Sequence, residues 1–196
     1  MSGGMDRHQA LADLAGRVAD CRGCGLAEGR TNVVVSSGPE SARVAVVGEA
    51  PGREEDLAGR PFVGRSGRLL DQLLDDTGGL GRNEVYVVNM VKCRPPDNRA
   101  PKADELAACR PFLDEQLALV HPRVVVTLGN VATRAMLDTK EGITSLRGRS
   151  HADPGGAPWP IVPTFHPSAG LRNGARVTGP MREDLARAAE LAEATR

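Results

Sequence analysis

The chain has 196 residues, 40% of them apolar, and a formal net charge of zero. That length suits one domain over 1–196 with a full core, and the charge balance argues against a non-specific nucleic-acid coat protein while leaving room for a local basic face. No apolar run approaches the roughly 18 residues of a membrane helix. Met1 to Asp20 has no apolar signal-peptide core, so the protein is expected to stay in the cytosol without membrane contact; a monomer is expected as well.

Aromatics make up only 3% of the chain, so the core must be built from Val, Leu, Ile and Ala. Leu11, Leu14, Ala15 and Val18 fall at helical spacing and predict a helix over 6–20 that runs into Cys21. Val33 to Val35 reads as a short strand, closed by Ser36-Ser37-Gly38-Pro39. Arg43 to Gly48 is an unbroken apolar run, the mark of a strand buried on both faces. A loop rich in Gly, Pro and charge extends from Glu49 to Arg65. Ser66 is placed to cap the next helix, with Leu69, Leu70, Leu73 and Leu74 toward the core and Gly78 past its end.

Val85 to Val91 predicts another strand. The segment 93–101 carries three prolines and is expected to stay a loop. A helix over 102–120 carries Cys109, Phe112, Leu113 and Leu117. Arg123 to Leu128 is a third buried strand, followed by a helix over Asn130 to Leu137. Trp159 to Phe165 is the last strand, ending at His166-Pro167-Ser168, and 181–195 is a closing amphipathic helix. Strands alternating with helices predict a three-layer α/β/α sandwich with a mostly parallel central sheet. Ligands of such folds bind beyond the carboxyl ends of the strands. The loops 48–65, 89–101 and 166–176 all lie there.

The chain has four cysteines: Cys21, Cys24, Cys93 and Cys109. In the cytosol they read as metal ligands or reactive thiols rather than disulfides. Buried cysteines acting as small hydrophobes are the bland alternative. One CxxC plus two distant thiols suits a closed zinc site of four cysteines and a [4Fe–4S] cluster alike. Either would tie the N-terminal helix to the 93–109 region.

Certain loop motifs carry more. Gly48-Glu49-Ala50-Pro51-Gly52 follows a buried strand, and by itself reads as a tight turn. Phe62 lies in a Gly/Pro loop, off any amphipathic period, where an aromatic is either a lid on a small core or a stacking platform. Taken with the run from Gly59 to Leu70 (GRPFVGRSGRLL), the run from Asn89 to Pro101 (NMVKCRPPDNRAP), Cys109, and His166-Pro167-Ser168, the chain resembles the family 4, iron–sulfur, uracil-DNA glycosylases. The resemblance runs from Cys21 to about Asn173.

The resemblance implies the glycosylase fold and removal of uracil from single- or double-stranded DNA. It also implies a [4Fe–4S] cluster on the four cysteines. Such enzymes take the base out of the stack before acting on it. Asn89 would read uracil, since one amide can pair with O4 and N3–H together, whereas cytosine presents the opposite pattern. Phe62 would stack on the flipped base beside Gly48. His166 would stabilise charge on O2, and Glu49 would orient the water that attacks C1′. Ala50 stands where many superfamily members hold an Asp. Gly52 stands where some use a Tyr to exclude thymine, so Glu55 is expected to guard that side.

Three basic groups are expected to meet phosphates. They are Arg60, Arg65 and Arg68; Lys92, Arg94, Arg99 and Lys102; and Arg147, Arg149, Arg172 and Arg176. Ser168, Leu171 and Arg172 belong to the DNA-binding end. The family usually continues HPS with Ala, two Leu and then Arg. Here Gly170 replaces the first Leu, which resembles the wedge that fills the gap left by a flipped base. Either Leu171 takes that task or flipping is weaker.

Three rival readings fit less of the chain. A uracil-DNA trap of a related iron–sulfur branch would need a His-bearing basic loop, and Pro95 to Pro101 contains no His. A dinucleotide-binding protein would need GxGxxG after its first strand. A degenerate iron–sulfur module would not keep Glu49, Phe62, Asn89 and His166 together. A wedge at Leu171 predicts that Leu171→Ala lowers uracil removal more on duplex than on single-stranded DNA; equal losses on the two substrates in a strand-cleavage assay reject it.

Overall fold

The structure, a computed structural model, describes residues 6–194. Nine helices and four strands are described: α1 (Arg7–Asp20), α2 (Leu26–Gly29), β1 (Val44–Gly48), α3 (Arg53–Ala58), α4 (Arg65–Asp75), β2 (Val85–Asn89), α5 (Ala103–Val120), β3 (Val124–Leu128), α6 (Gly129–Leu137), α7 (Ile143–Leu146), β4 (Ile161–Thr164), α8 (Pro167–Asn173) and α9 (Ala175–Ala194). The strands form one sheet in the order β2-β1-β3-β4, and every pairing is parallel.

All four strands are buried along their whole length, as expected of runs without polar alternation, three of them Val-rich. Alternation divides their side chains between two cores. Val44, Val46, Val85, Val87, Val124, Val126 and Val162 pack with Leu70, Leu73 and Leu74 of α4 and Met181, Leu185 and Ala188 of α9. Ala45, Val47, Tyr86, Val88, Val125 and Ile161 pack with Leu113 and Leu117 of α5 and Ala132 and Met136 of α6. Each fully buried Val or Leu contributes about 1.5–3 kcal/mol, so the layers are held by aliphatic packing despite the scarcity of aromatics. The expected three-layer sandwich with a parallel sheet is what forms.

The strand expected at Val33–Val35 is absent. That segment leads into one isolated bridge, Ser37 to Val87, and Val34 donates its N–H to the Lys92 carbonyl at 2.8 Å. Its apolar side chains fill space, but no partner strand continues the ladder. The loop 49–65 contains α3, bracketed by Gly52 and by Gly59 in the left-handed region (φ 66°). Helix α4 has Gly64 rather than Ser66 at its N-cap, so Ser66 lies inside the first turn. Within 93–101, only a 3-10 turn forms, at Pro96–Asn98. The expected loop 166–176 is mostly α8, with His166 as N-cap and Pro167 in the first turn. That proline lacks the N–H that a helix start leaves unpaired anyway. The closing helix begins at Ala175 rather than 181 and contains Pro180; its expected end at 195 lies outside the described residues.

The chain leaves β1 toward β2 on one side, and β3 lies on the other. That reversal opens a crevice at the carboxyl ends of the strands. Asn89 ends β2, Glu49 follows β1, Gly129 and Asn130 follow β3, and Phe165 and His166 follow β4.

Candidate active site

All of these strand ends line one cleft of about 610 Å³, together with Pro51, Gly52, Glu55, Phe62, Ser66, Asn98, Arg99, Ser168 and Arg172. Gly48 and Asn89 are register partners on β1 and β2. A Cβ on Gly48 would lie 2.4 Å from Asn89 Oδ1 and 2.6 Å from the Phe62 ring, so only glycine lets amide and ring share that space. Asn89 is 1% exposed, and its Oδ1 has no hydrogen-bond partner among the described residues. A buried acceptor left in that state costs about 1–3 kcal/mol. It faces a cleft, and the donor it lacks is one a ligand can bring.

Phe62 is 7% exposed and holds φ 54°, in the left-handed region. A bulky side chain is disfavoured there by about 1–3 kcal/mol, so its surroundings must impose it. Glu55 is one such support. Its Oε1 accepts the N–H groups of Val63 (3.0 Å) and Gly64 (2.8 Å), and its Oε2 accepts that of Gly52 (3.1 Å). Helix α4 is another. Gly67 comes so close that a Cβ there would overlap the Phe62 carbonyl oxygen. Glu55 therefore lines the cleft, but its carboxylate is occupied in holding the loop.

His166 faces the Phe62 ring, with centroids 6.0 Å apart. Its Nδ1 accepts the Ser168 N–H at 3.1 Å and lies 2.9 Å from the Ser168 hydroxyl. An amide N–H can only donate, so Nδ1 carries no proton and the neutral ring bears its proton on Nε2. Burial, with Arg172 nearby, lowers the imidazole pKa to about 4. Glu49 also lines the cleft, and its carboxylate finds no protein hydrogen-bond partner among the described residues. Burial pushes its pKa above the ordinary carboxylate value.

Gly170 faces inward. A Cβ on it would meet Leu69 and Thr178 at 3.0 Å, whereas Leu171 is 42% exposed. Position 170 therefore cannot project a wedge outward, and the exposed apolar side chain on α8 is Leu171. Arg172, beside it, is exposed and lines the cleft.

Two expected phosphate contacts, Lys92 and Arg147, need correction, and Arg99, which lines the cleft, is committed to an ion pair. Lys92 is buried, with Nζ donating to the Asn89 carbonyl at 2.7 Å. Arg147 pairs through Nε and Nη2 with the fully buried Asp184 at 2.9 and 3.0 Å and lies over Phe165. Arg99 is held by both carboxylate oxygens of Glu105, at 2.8 and 2.6 Å. Arg94 is half-buried, and its Nε donates to Asn98. Arg60, Arg65, Arg68, Lys102, Arg149 and Arg176 are exposed. Sequence reasoning passed over Asn130, Ile143 and Phe165 in the cleft wall. Phe165 had a usable signal, an aromatic between a strand and the HPS motif.

Behind Asn89 lie the thiols. Cys21 caps the end of α1, Cys24 precedes α2, Cys93 follows β2 and Cys109 lies on α5; all are half-buried and free. Burial raises the Cys93 thiol pKa, opposed by Arg30, whose Nη1 lies 3.3 Å from Sγ, and raised further by Cys24 and Cys21. Burial likewise raises Cys109, opposed by Lys92, with Cys93 and Cys24 adding to the rise. Burial lowers the Lys92 pKa to about 7, opposed by the nearby Cys109. Among the described residues, no three His, Cys, Asp or Glu side chains gather tightly enough for a single metal ion. A [4Fe–4S] cluster gives each iron its own cysteine and so spreads the thiolates wider. Soft donors only, with Arg30 and Lys92 set against them, fit such an anionic group.

Residues 35–190 match the model of the uracil DNA glycosylase superfamily. The chain is 46% identical to a type-4 uracil-DNA glycosylase of Thermotoga maritima over 168 residues, which is 85% of this chain and 86% of the relative. Another type-4 uracil-DNA glycosylase, from Sulfurisphaera tokodaii, is 41% identical over 93% of this chain and 85% of its own length. One from Pyrobaculum aerophilum is 37% identical over 90% of this chain and 91% of its own. The chain belongs to the uracil-DNA glycosylase superfamily and, within it, to the type-4 uracil-DNA glycosylases.

Proposed function

We propose that the protein removes uracil from DNA by flipping the base into the strand-end cleft and hydrolysing its N-glycosidic bond, the first step of repairing deaminated cytosine. The observation that carries this reading is the buried, unpartnered Oδ1 of Asn89 beneath the Phe62 ring. Uracil supplies the missing donor at N3–H and takes the amide N–H at O4. Cytosine offers an acceptor at N3 and a donor at N4, so it would leave the amide unpaired on both sides. Phe62 stacks on the base. Gly48 leaves room for both groups.

As the C1′–N1 bond breaks, its electron pair passes to the uracil ring and charge grows on O2. The Nε2–H of neutral His166 bonds that oxygen and stabilises the leaving anion. Glu49 faces the developing positive charge on the sugar and orients a water. The water oxygen bonds C1′, and its proton passes to the Glu49 carboxylate, made more basic by its burial. Uracil leaves as the anion and takes a proton from solvent. Leu171 fills the gap in the duplex, while Ser168 and Arg172 meet the strand at the mouth of the cleft. Glu55 acts on the base indirectly, by holding the loop that carries Phe62.

Cys21, Cys24, Cys93 and Cys109 would hold a [4Fe–4S] cluster. When bound, it would supply a structural cross-link between the α1 end, the segment after β2 and α5. We read the chain as one domain, a reading supported by a single family match over residues 35–190, acting as a monomer in the cytosol.

The direct test is incubation with a labelled uracil-containing oligonucleotide, followed by alkali to reveal abasic sites. Wild type is expected to cleave, and Asn89→Ala to lose at least about 100-fold. A shifted band without abasic sites would demote the chain to a uracil-DNA binder. The pH dependence follows from the two shifted groups. His166 stays neutral above about pH 4 and contributes no titration in the neutral range. Glu49 must be ionised, so kcat/KM should fall as pH drops through a value above the ordinary carboxylate pKa of about 4.3. A pH–rate profile of Glu49→Gln should lack that limb. A limb that persists unchanged in this variant would remove Glu49 from the reaction.

A further inference from the structure

We propose that Arg82, which does not line the cleft, is the positioning residue that sets the Phe62 ring against the base. This rests on the reading that Phe62 stacks on uracil. The φ and ψ of a residue are the rotations between the peptide groups on either side of it. At Phe62 both groups are held by charged side chains. The downstream peptide gives its Val63 N–H to Glu55, and its carbonyl oxygen is pressed by Gly67. The upstream peptide presents the Pro61 carbonyl, and Arg82 Nη2 donates to it at 2.8 Å.

Arg82 stands in the connection between α4 and β2 and is itself anchored. The same Nη2 donates to the Ser37 hydroxyl at 3.0 Å, and Ser37 is bridged to Val87 of β2. Nη1 lies 3.5 Å from Asp71 on α4, an ion pair without hydrogen-bond geometry. The Arg82 side chain is 22% exposed. One planar guanidinium thus joins the sheet edge and α4 to the carbonyl that precedes a residue at φ 54°. An ammonium in its place is a point charge without the planar fork that spans separate partners. Without the clamp, the upstream peptide is free to rotate, and Phe62 relaxes from the left-handed region toward ordinary backbone. The ring would then leave its place over Gly48.

The test is a double-mutant cycle on single-stranded uracil DNA, in protein purified with its native metal content. Arg82→Met is expected to lower kcat/KM about 10- to 100-fold in the wild-type background. In a Phe62→Ala background it is expected to cost less than about twofold, since no ring remains to be placed. Arg82→Lys should fall between wild type and Arg82→Met. Thermal unfolding of each variant reports its stability alongside. Equal factors in both backgrounds would assign Arg82 to general stability and overturn the proposal. So would a large loss in Phe62→Ala with none in Arg82→Met. A Phe62→Ala protein of undiminished activity would instead overturn the stacking reading, and the Arg82 proposal with it. If Arg82→Met does not fold, Arg82→Lys keeps the charge beside Asp71 and carries the same cycle.

Discussion

The close approach over Gly48 is the constraint on which the cleft depends. Parallel pairing brings Gly48 and Asn89 side by side at the carboxyl ends of β1 and β2. The missing Cβ then admits an amide oxygen and an aromatic ring to one small volume. The rest of the neighbourhood serves that contact. Glu55 and Gly67 fix the peptide after Phe62, and Arg82 reaches the one before it. Lys92 grips the Asn89 carbonyl from behind, with the Cys109 thiol close by. Backbone strain at Phe62 is tolerated because several rigid elements over-determine it.

Burial also sets the electrostatics. It holds His166 neutral, with the proton directed by Ser168 onto Nε2, and it makes the Glu49 carboxylate more basic. In the proposed reaction, one low-dielectric cavity would supply both a neutral donor for the leaving oxygen and a basic carboxylate toward the sugar. In such a cavity each hydrogen bond to developing charge counts for more than it would in water.

The sheet is legible in the sequence because three Val-rich runs and the shorter Ile161–Thr164 run show no polar alternation, and a parallel sheet covered on both faces demands that. The loop helices are less so. Arg53 to Ala58 opens with four charged residues and is too short for periodicity to register, though acidic residues in its first turn and Gly59 beyond its end are helix signals. Pro167 reads as a break in the sequence, yet it is a helix start. Val33–Val35 has strand composition but no strand partner, which only tertiary structure decides. At the cleft, Glu49, Glu55, Phe62, Asn89, His166, Ser168 and Arg172 come together as the motif resemblance implied. The charges are the weak point. Lys92, Arg99 and Arg147 look like phosphate contacts among the basic residues of the loops, yet each is held by an internal partner: a carbonyl, Glu105 or Asp184. Nothing in local sequence distinguishes an arginine that meets solvent from one that meets a buried acid far along the chain.

The contact above Gly48 is tested most simply by uracil excision with Gly48→Ala. One methyl group is added, at a position 2.4 Å from Asn89 Oδ1 and 2.6 Å from the Phe62 ring. Overpacking of this size costs about 1–3 kcal/mol of stability, which leaves the fold standing. The expected result is a folded protein, with its circular dichroism spectrum kept, whose excision rate has fallen at least about 100-fold. A folded Gly48→Ala protein that excises uracil within about twofold of the wild-type rate would contradict the claim that amide and ring must share the space above this glycine.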